Sequence, residues 1–221
     1  MKLGIWNVDL PEYGSSKLKE IKSILLKEEF DIIFLTEVNA SLEFEGYKSI
    51  YSKNSPFKNT SRNYNPPNVY YQAAIYTKFD ISKNEIDDET AINATSCFTN
   101  YHEKTLELYS CVFTIKDRWA KWSNMKYKDR VIEQIKSFDA LKLENTIIGG
   151  DFNCKSNSSY NKFGYISVNE FVEKNNLNWI TRNEEDTCQQ LITTKNFNAE
   201  YELIKNKRLS HHPLVIANIT F

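Results

Sequence analysis

An acid and an amide follow a short apolar run in the stretch Thr146-Ile-Ile-Gly-Gly-Asp-Phe-Asn153. The two isoleucines predict the end of a buried strand, and the two glycines allow a tight turn or a close approach to a ligand. If the chain is extended here, side chains two residues apart point the same way, so Asp151 and Asn153 would face a common site. A polar β-turn closed by Asp and Asn is the alternative interpretation.

Other polar side chains stand next to predicted strands. Asn7 and Glu37 each end one, and the pair His211 and His212 comes just before the final strand. Open α/β sheets bind ligands at the carboxyl ends of their strands, and strand ends are rigid positions from which a site can be assembled. The joint pattern therefore predicts one shared polar site. For the histidine pair alone, a solvated loop tip before Pro213 is the alternative.

Hydrophobic periodicity predicts the elements that position these residues. A strand at 2–7, a helix at 15–30 and a buried strand at 31–37 predict a β-α-β unit. The further predicted elements are strands at 69–76 and 106–115, a helix over 131–141, a short helix opened by a capping box at 167–170, a weak strand at 189–194 and a final strand at 214–221. His102 is interpreted as a loop histidine. Since no linker or repeat interrupts the pattern, we expect a single mixed α/β domain over residues 1–221.

The composition is that of an ordinary globular protein, with 221 residues, 41% hydrophobic residues and a formal net charge of -1. Any affinity for a polyanion must therefore come from local patches. The four cysteines lack a C-x-x-C pair and regular spacing, which favours reduced thiols in a cytoplasmic protein. No apolar run has the length of a signal peptide or a membrane span, so no membrane association is expected. No feature of the sequence specifies the oligomeric state.

In order and spacing, these segments resemble the endonuclease/exonuclease/phosphatase superfamily along nearly the whole chain. The Gly-Gly-Asp-Phe-Asn stretch is the most specific match. The other matching segments are Trp6-Asn7, Leu35-Thr-Glu37, Ala73-Ala-Ile-Tyr-Thr-Lys78, Arg130-Val-Ile-Glu-Gln134 and Ser210-His-His-Pro-Leu214. The resemblance implies a DNase I-like α/β fold, a four-layer sandwich of two packed mixed, mostly antiparallel sheets flanked by helices.

The resemblance also implies metal-assisted attack of water on a phosphate ester. By this analogy Glu37 would bind a divalent cation, usually Mg²⁺, with Asn7 near the metal and the phosphate. Asp151 would orient or deprotonate the attacking water, and Asn153 would hold that water or a phosphate oxygen. His212 would donate to the phosphate and stabilise charge in the transition state. Mg²⁺ needs few protein oxygen ligands because it keeps several waters.

Three positions depart from the family pattern. The terminal motif of the family is Ser-Asp-His, whereas His211 stands here in place of the aspartate. An aspartate that supports the catalytic histidine is replaced by Gln189, which can accept a hydrogen bond but cannot stabilise imidazolium by charge. Phe113 or Thr114 occupies a position where the family carries a polar His or Tyr.

Two hypotheses follow from these departures. The site could be rearranged but active, with His211 as a ligand to a more nitrogen-tolerant metal such as Mn²⁺. Alternatively, the site has decayed and the fold serves as a binding module.

Basic and aromatic residues alternate over 116–130, where Trp119, Lys121 and Trp122 form a candidate nucleic-acid contact. Arg62, in the polar loop 52–68, is a further candidate. Solvated lysines and a tryptophan packed on the core are the alternative explanation. The expected function is a metal-dependent phosphodiester hydrolase, most simply a nuclease acting on DNA or RNA. The alternatives are an inactive binding module and a phosphatase acting on a small phosphate ester.

Overall fold

The structure, a computed structural model, describes residues 1–53, 63–86, 93–115 and 125–221. Within these ranges the chain forms twelve strands and three helices. The strands are β1 (Lys2–Asn7), β2 (Ile32–Asn39), β3 (Lys48–Tyr51), β4 (Tyr70–Thr77), β5 (Ile81–Lys83), β6 (Ala94–Tyr101), β7 (Lys104–Val112), β8 (Thr146–Asp151), β9 (Leu177–Trp179), β10 (Gln189–Thr194), β11 (Asn198–Ile204) and β12 (Leu214–Thr220). The helices are α1 (Ser16–Lys27), α2 (Tyr127–Phe138) and α3 (Lys162–Lys174).

The strands form two mixed sheets of six strands each. The first sheet has the order β11-β12-β1-β2-β4-β3, and the second has the order β5-β6-β7-β8-β10-β9. Each sheet contains one parallel pair, β1 with β2 and β7 with β8, and the other pairs are antiparallel. Both parallel pairs are joined by a connection that contains a helix, as parallel strands require.

The helices cover the outer faces of the sheets. α1 starts after Ser15, whose hydroxyl oxygen accepts a hydrogen bond from the backbone N–H of Leu18. Its buried side chains pack against the outward residues of the first sheet, while α2 and α3 pack against the second sheet. A third apolar cluster lies between the two sheets. Two packed mixed sheets with helices outside make four layers, so the predicted four-layer α/β sandwich is confirmed.

The layer between the sheets changes from apolar to polar at one end. Leu3 and Ile5 of β1 lie in the inter-sheet core, and Asn7 is the next residue on that face. On β8 the same alternation leads from Ile147, in the core, to the buried Asp151. Asn7 and Asp151 are thus buried side chains on the same strand faces as the inter-sheet core.

The two glycines of β8 permit close packing. A Cβ atom on Gly149 would lie 2.5 Å from the ring of Phe34 in the other sheet. A Cβ atom on Gly150, whose φ is +139°, would lie 2.0 Å from the carbonyl oxygen of Cys111 on the neighbouring strand. The glycines therefore allow close packing against neighbouring strands of the protein, and β8 continues through both without the tight turn considered from sequence.

Several predicted boundaries were wrong. The capping box at 167–170 does not open a helix, because α3 begins five residues earlier and Ser167 lies inside it. The predicted strand at 106–115 ends at Val112, and its start at Lys104 forms a hairpin with β6. His102 lies in the turn of that hairpin, as expected for a loop histidine. In the part of the chain described here, none of the helices combines the length and the apolar character needed to cross a membrane.

Candidate active site

Strand direction brings the predicted site residues to one edge of the sandwich. β1 and β2 run parallel, with Asn7 opposite Thr36, so Glu37 follows at the same edge. β12 is antiparallel to β1, so the loop before it, which carries the histidine pair, also lies at this edge. A hydrogen bond of 2.7 Å from Asn7 Nδ2 to Asp151 Oδ2 joins the first sheet to the second. The polar site predicted at the strand ends is therefore assembled across both sheets.

Asp151 is at the centre of this arrangement and is only 1% exposed. Its Oδ2 accepts the hydrogen bond from Asn7, and its Oδ1 accepts one of 3.0 Å from the backbone N–H of Asn153. His212 Nδ1 lies 3.7 Å from Asp151 Oδ2. A buried carboxylate is tolerated when its oxygens are hydrogen-bonded, and these contacts fix its orientation.

Asn153 is not extended, in contrast to the assumption made from sequence. β8 ends at Asp151, and Asn153 has a left-handed backbone with φ +50°. Its side-chain Nδ2 donates a hydrogen bond of 2.9 Å to the carbonyl oxygen of Phe113. Asp151 and Asn153 are thus linked through a backbone N–H, and the amide group is held by the end of β7.

The histidine loop is tied to the end of β1. The hydroxyl of Ser210 donates to the carbonyl oxygen of Asn7 at 2.7 Å and accepts from the backbone N–H of His212 at 3.1 Å. Trp6 Nε1 donates to the carbonyl oxygen of His212 at 2.8 Å. His212 is therefore held in place beside Asp151, which does not fit a freely solvated loop tip.

His211 is the more exposed member of the pair, and its ring lies 4.2 Å from that of His212. Desolvation and, secondly, the neighbouring His212 lower the pKa of His211 below its usual value, while Asp9 and Asp151 act in the opposite direction. A lowered pKa favours the neutral imidazole, which is the form that binds metal ions.

Asp9 belongs to the site and was not singled out from the sequence. Its backbone N–H donates to Asn7 Oδ1 at 2.9 Å. Its carboxylate Oδ2 lies 3.1 Å from Lys17 Nζ, which also donates to the Asp9 carbonyl oxygen at 2.8 Å. An acid two residues after Asn7 was the available signal.

Left-handed backbone conformations cluster at these strand ends. Asp9, Glu37 and Asn153 have φ values of +52°, +53° and +50°. The Glu37 carbonyl oxygen accepts a hydrogen bond of 2.8 Å from the N–H of Leu10, so the segment after β1 is bonded to β2. Non-glycine residues with positive φ carry strain and are found preferentially at functional sites.

The donor atoms at this edge suit a hard cation that keeps most of its water. Among the described residues, no group of three or more His, Cys, Asp or Glu side chains is arranged to hold a metal ion. Mg²⁺ requires only one or two protein carboxylates and water for the rest. Asp9 follows β1, and Glu37 lies within β2, which continues to Asn39 and does not end at residue 37 as predicted; both offer oxygen donors of that kind.

Gln189 lies directly opposite Asp151 in the pair formed by β10 and β8. Its side chain is completely buried, and neither Nε2 nor Oε1 has a hydrogen-bond partner among the described residues. The position expected to support the histidine is thus at the site but makes no hydrogen bond to it.

Two buried side chains of α2 fix the segment that follows β7. Arg130, 2% exposed, faces inward and donates from Nε to Thr114 Oγ1 at 3.1 Å. Gln134 Nε2 donates to the carbonyl oxygen of Val112 at 3.0 Å. These contacts hold the Phe113 carbonyl that receives the amide of Asn153. Phe113 itself is buried in the core, so the position contributes a backbone oxygen and no polar side chain.

The proposed substrate-contacting residues Arg62, Trp119, Lys121 and Trp122 lie outside the described ranges. Their contact with nucleic acid stays a prediction from sequence.

Comparison with known proteins agrees with this geometry. Residues 4–190 match the Endonuclease/Exonuclease/phosphatase family. No curated protein matches the chain. Among solved structures, the endonuclease domain of TRAS1, a telomere-specific non-LTR retrotransposon, has a TM-score of 0.69 at 17% identity, covering 99% of this chain and 97% of that one. A family protein from Leptotrichia buccalis C-1013-b has a TM-score of 0.70 at 16% identity and full coverage of both chains.

A mannosyl-6-phosphatase from Bacteroides thetaiotaomicron VPI-5482 is also similar, with a TM-score of 0.63 at 14% identity and full coverage of both chains. These likenesses establish the fold, while the family match covers most of the sequence, including the stretch around Asp151. The chain belongs to the Endonuclease/Exonuclease/phosphatase family.

Proposed function

We propose that this protein is a divalent-metal-dependent phosphodiester hydrolase that cleaves nucleic acid by attack of an activated water. The observation that carries the proposal is the placement of Asp151. Its buried carboxylate is oriented by Asn7 and by the Asn153 N–H, and an imidazole nitrogen of His212 lies 3.7 Å away. A fixed carboxylate beside an imidazole is the arrangement required for moving a proton in a hydrolysis.

In the proposed reaction Asp151 orients the water and accepts its proton as the oxygen attacks phosphorus. The P–O bond to the leaving oxygen breaks, and that oxygen takes up a proton from solvent. His212 donates a hydrogen bond to the phosphate and offsets the negative charge that develops there. Asn153 holds the water or a phosphate oxygen. A bound Mg²⁺ or Mn²⁺ would supply a Lewis acid for the phosphate, held by Glu37 with His211 as a nitrogen ligand and with water at its other positions. Asn7 contacts both Asp9 and Asp151, which supports an orienting role beside its expected place near the metal.

Nucleic acid is the favoured substrate. The likeness to the endonuclease domain of TRAS1 extends over nearly the full length of both chains. The basic and aromatic residues around Trp119 and Trp122 support the same substrate class. Four free cysteines, three of them buried, support a place in the cytoplasm, where thiols stay reduced.

A phosphatase acting on a small ester is the second candidate, supported by the full-length likeness to a mannosyl-6-phosphatase. A binding module without turnover is the third. The unpartnered Gln189 and the replacement of the motif aspartate by His211 support it.

The deciding experiment measures hydrolysis of single- and double-stranded DNA and RNA with Mg²⁺, Mn²⁺ or a chelator. Asp151→Ala and Glu37→Ala are the test variants. Asp80→Ala is the matched control, because the Asp80 side chain is 99% exposed and follows β4 at the opposite end of the sheet. We expect metal-dependent cleavage that Asp151→Ala and Glu37→Ala abolish and Asp80→Ala preserves.

Absence of cleavage of every polymer by a well-folded preparation would refute the nuclease proposal. Release of phosphate from a sugar 6-phosphate, abolished by Asp151→Ala, would then establish the phosphatase alternative. If the protein hydrolyses neither substrate with any metal, the binding module is the remaining candidate.

A further inference from the structure

Asn161 stands at the start of α3 and directs its side chain away from the helix. Asparagine in this position usually caps the helix by accepting a backbone N–H of the first turn. Here the side chain of Asn161 makes no such bond, and its Nδ2 donates instead to the carbonyl oxygen of Asn153 at 2.7 Å. Asn161 is completely buried and has a left-handed backbone with φ +56°. The helix thus forgoes a capping bond in favour of a contact with the loop that carries the site.

The contact determines the conformation of Asn153. With φ at +50°, Asn153 occupies a region that non-glycine residues adopt only when their surroundings enforce it. The backbone N–H of Asn153 donates to the carboxylate of Asp151, and its side-chain amide donates to the carbonyl oxygen of Phe113. The side-chain amide of Asn161 donates to the backbone carbonyl oxygen of Asn153, which belongs to the next peptide group. Together the three bonds fix the backbone on both sides of the residue.

A structural role in α3 alone does not explain the contacts of Asn161. The Oδ1 atom of Asn161 is buried and has no hydrogen-bond partner among the described residues. The N–H of Gly164, a first-turn donor that a capping oxygen would bind, donates instead to the hydroxyl of Tyr127 at 3.2 Å. The side chain of Asn161 is thus used for the loop that carries Asn153 and not for the helix. The cost of burying Asn161 Oδ1 without a partner is explained if Asn161 serves to hold the backbone of Asn153.

We propose that Asn161 is a positioning residue that fixes the left-handed turn at Asn153 and thereby sets the direction of the Asn153 amide and the Asp151 carboxylate. The inference rests on the proposed hydrolase function, and it adds a residue from α3 to the machinery of that site.

The test separates the backbone conformation from the hydrogen bond. Asn161→Gly keeps a residue that adopts positive φ without strain and removes the donor, whereas Asn161→Ala removes both. Asn175→Ala is the matched control. Asn175 Nδ2 donates to the Phe171 carbonyl oxygen at 2.9 Å at the other end of the same helix, away from the site. Each variant is assayed for kcat, KM and melting temperature on the nucleic-acid substrate that the wild type cleaves.

We expect Asn161→Gly to lower kcat about 10- to 100-fold with little change in KM, as for other residues that orient a site through a second residue. Asn161→Ala should lower kcat at least as much. Asn175→Ala should lose a comparable amount of thermal stability and keep its kcat. A normal kcat in folded Asn161→Gly, with a loss only in melting temperature, would overturn the proposal.

A second measurement does not depend on activity. In spectra of protein carrying ¹⁵N-labelled asparagine, the side-chain amide of Asn153 should be sharp and protected from exchange in the wild type. We expect it to broaden or lose protection in Asn161→Gly but not in Asn175→Ala. An unchanged Asn153 signal in Asn161→Gly would overturn the positioning role even if the wild type cleaves nucleic acid. If the Asn153 signal changes in Asn161→Gly but the wild type cleaves no nucleic acid, the positioning role of Asn161 is supported and the proposed nuclease function is refuted.

Discussion

At the scale of single residues, the site depends on how a buried carboxylate is satisfied. Asp151 has one donor on each oxygen, Asn7 on Oδ2 and the Asn153 backbone on Oδ1. Hydrogen bonds to a charged group are stronger than neutral ones, and a buried group that loses its partner pays the desolvation penalty. Asn7 is therefore important for stability as well as for orientation.

We expect Asn7→Ala to lower the free energy of unfolding by about 2–3 kcal/mol, since it leaves Asp151 Oδ2 without its donor. Urea denaturation gives the measurement. Asn178→Ala is the control, because Asn178 Nδ2 donates at 3.2 Å to the carbonyl oxygen of Phe197, which carries no charge. A loss no larger in Asn7→Ala than in Asn178→Ala would contradict the argument.

Gln189, unlike Asn7, is a buried polar side chain that we expect to lower the stability of the protein. Its amide is buried without a partner, which costs about 1–3 kcal/mol relative to an apolar side chain of similar shape. We expect Gln189→Met to raise the free energy of unfolding by about 1 kcal/mol in urea denaturation and to leave kcat nearly unchanged, because the lost amide makes no hydrogen bond to the site.

The neighbouring residue provides a matched control for this change. Gln190 is equally buried, but its Oε1 accepts from Trp179 Nε1 and from Thr181 Oγ1, both at 2.7 Å. Gln190→Met should therefore destabilise the protein. Stabilisation by both substitutions, or by neither, would show that partnering does not decide the sign.

His211 determines which metal the site prefers under the proposed function. Imidazole is better suited to Mn²⁺ than to Mg²⁺, whereas a carboxylate suits Mg²⁺. We expect His211→Asp to increase the ratio of Mg²⁺-supported to Mn²⁺-supported cleavage. The ratio should be unchanged in His102→Asp, since His102 lies in the turn between β6 and β7, away from the site. An unaltered ratio in His211→Asp would remove His211 from the metal site.

At the scale of elements, β8 is constrained by its glycines. The Cβ of an alanine at Gly150 would meet the Cys111 carbonyl, which is backbone and cannot rotate away, and φ of +139° is itself unfavourable for alanine. We expect Gly150→Ala to cost at least about 3 kcal/mol, or to prevent folding, as measured by chemical denaturation.

Gly46→Ala isolates the conformational part of that cost. Gly46 has φ +80°, and among the described residues no neighbouring atom lies within 4 Å of a Cβ built there. Its substitution should cost about 1–2 kcal/mol. If Gly150→Ala cost no more than Gly46→Ala, the close contact between β8 and β7 would not limit the substitution.

Sequence patterns predicted the elements that carry strong apolar signals. The β-α-β unit of β1, α1 and β2 and the final strand, predicted at 214–221, follow from periodicity and agree with the structure to within a few residues. The weak strand predicted at 189–194 also agrees with β10. β3, β5, β9 and β11 were missed because they are short or half-exposed and their patterns are weak. β6 was missed because most of its residues are polar, although the strand is mostly buried. The capping box at 167–170 misled because its residues lie on a helix that Asn161 had already started.

For the site, residue types at strand ends predicted Asn7, Asp151 and His212, which the structure brings together. The spacing of two residues from Asn7 was the only sequence signal for Asp9, and it does not show that the two residues are hydrogen-bonded. Local spacing gave no signal for Asn161. Asp9 is defined by a turn after β1, and Asn161 by a hydrogen bond to a residue eight positions away through a left-handed backbone. Such contacts depend on tertiary geometry that periodicity does not contain.

At the scale of the whole molecule, the site exists only when the two sheets are packed. Asn7 and the histidine loop belong to the first sheet, while Asp151 and Gln189 belong to the second. The inter-sheet core below them includes Ile5 and Ile147, so folding of this core and formation of the site are one event. Exposure of the core should therefore report on loss of the site.

The cysteines provide a measure of that packing. Cys97 lies in the inter-sheet core, and Cys111 and Cys154 lie in the core between the second sheet and its helices. Burial raises the pKa of Cys97 to about 12, and burial followed by the charge of Asp151 raises the pKa of Cys188 to about 12. Because the thiolate is the reactive form, at pH 8 only about one in ten thousand of such thiols is reactive.

We expect the native protein to resist iodoacetamide at pH 8, and its slow labelling to rise about tenfold per pH unit while the fold persists. In urea all four cysteines should react rapidly, since their pKa values return to about 8.5. Labelling is followed by mass spectrometry, together with cleavage activity, across a urea titration. If the sheets and the site are lost together, both signals change at one urea concentration. Rapid labelling of Cys97 while activity persists would show that the inter-sheet core can open without disassembling the site.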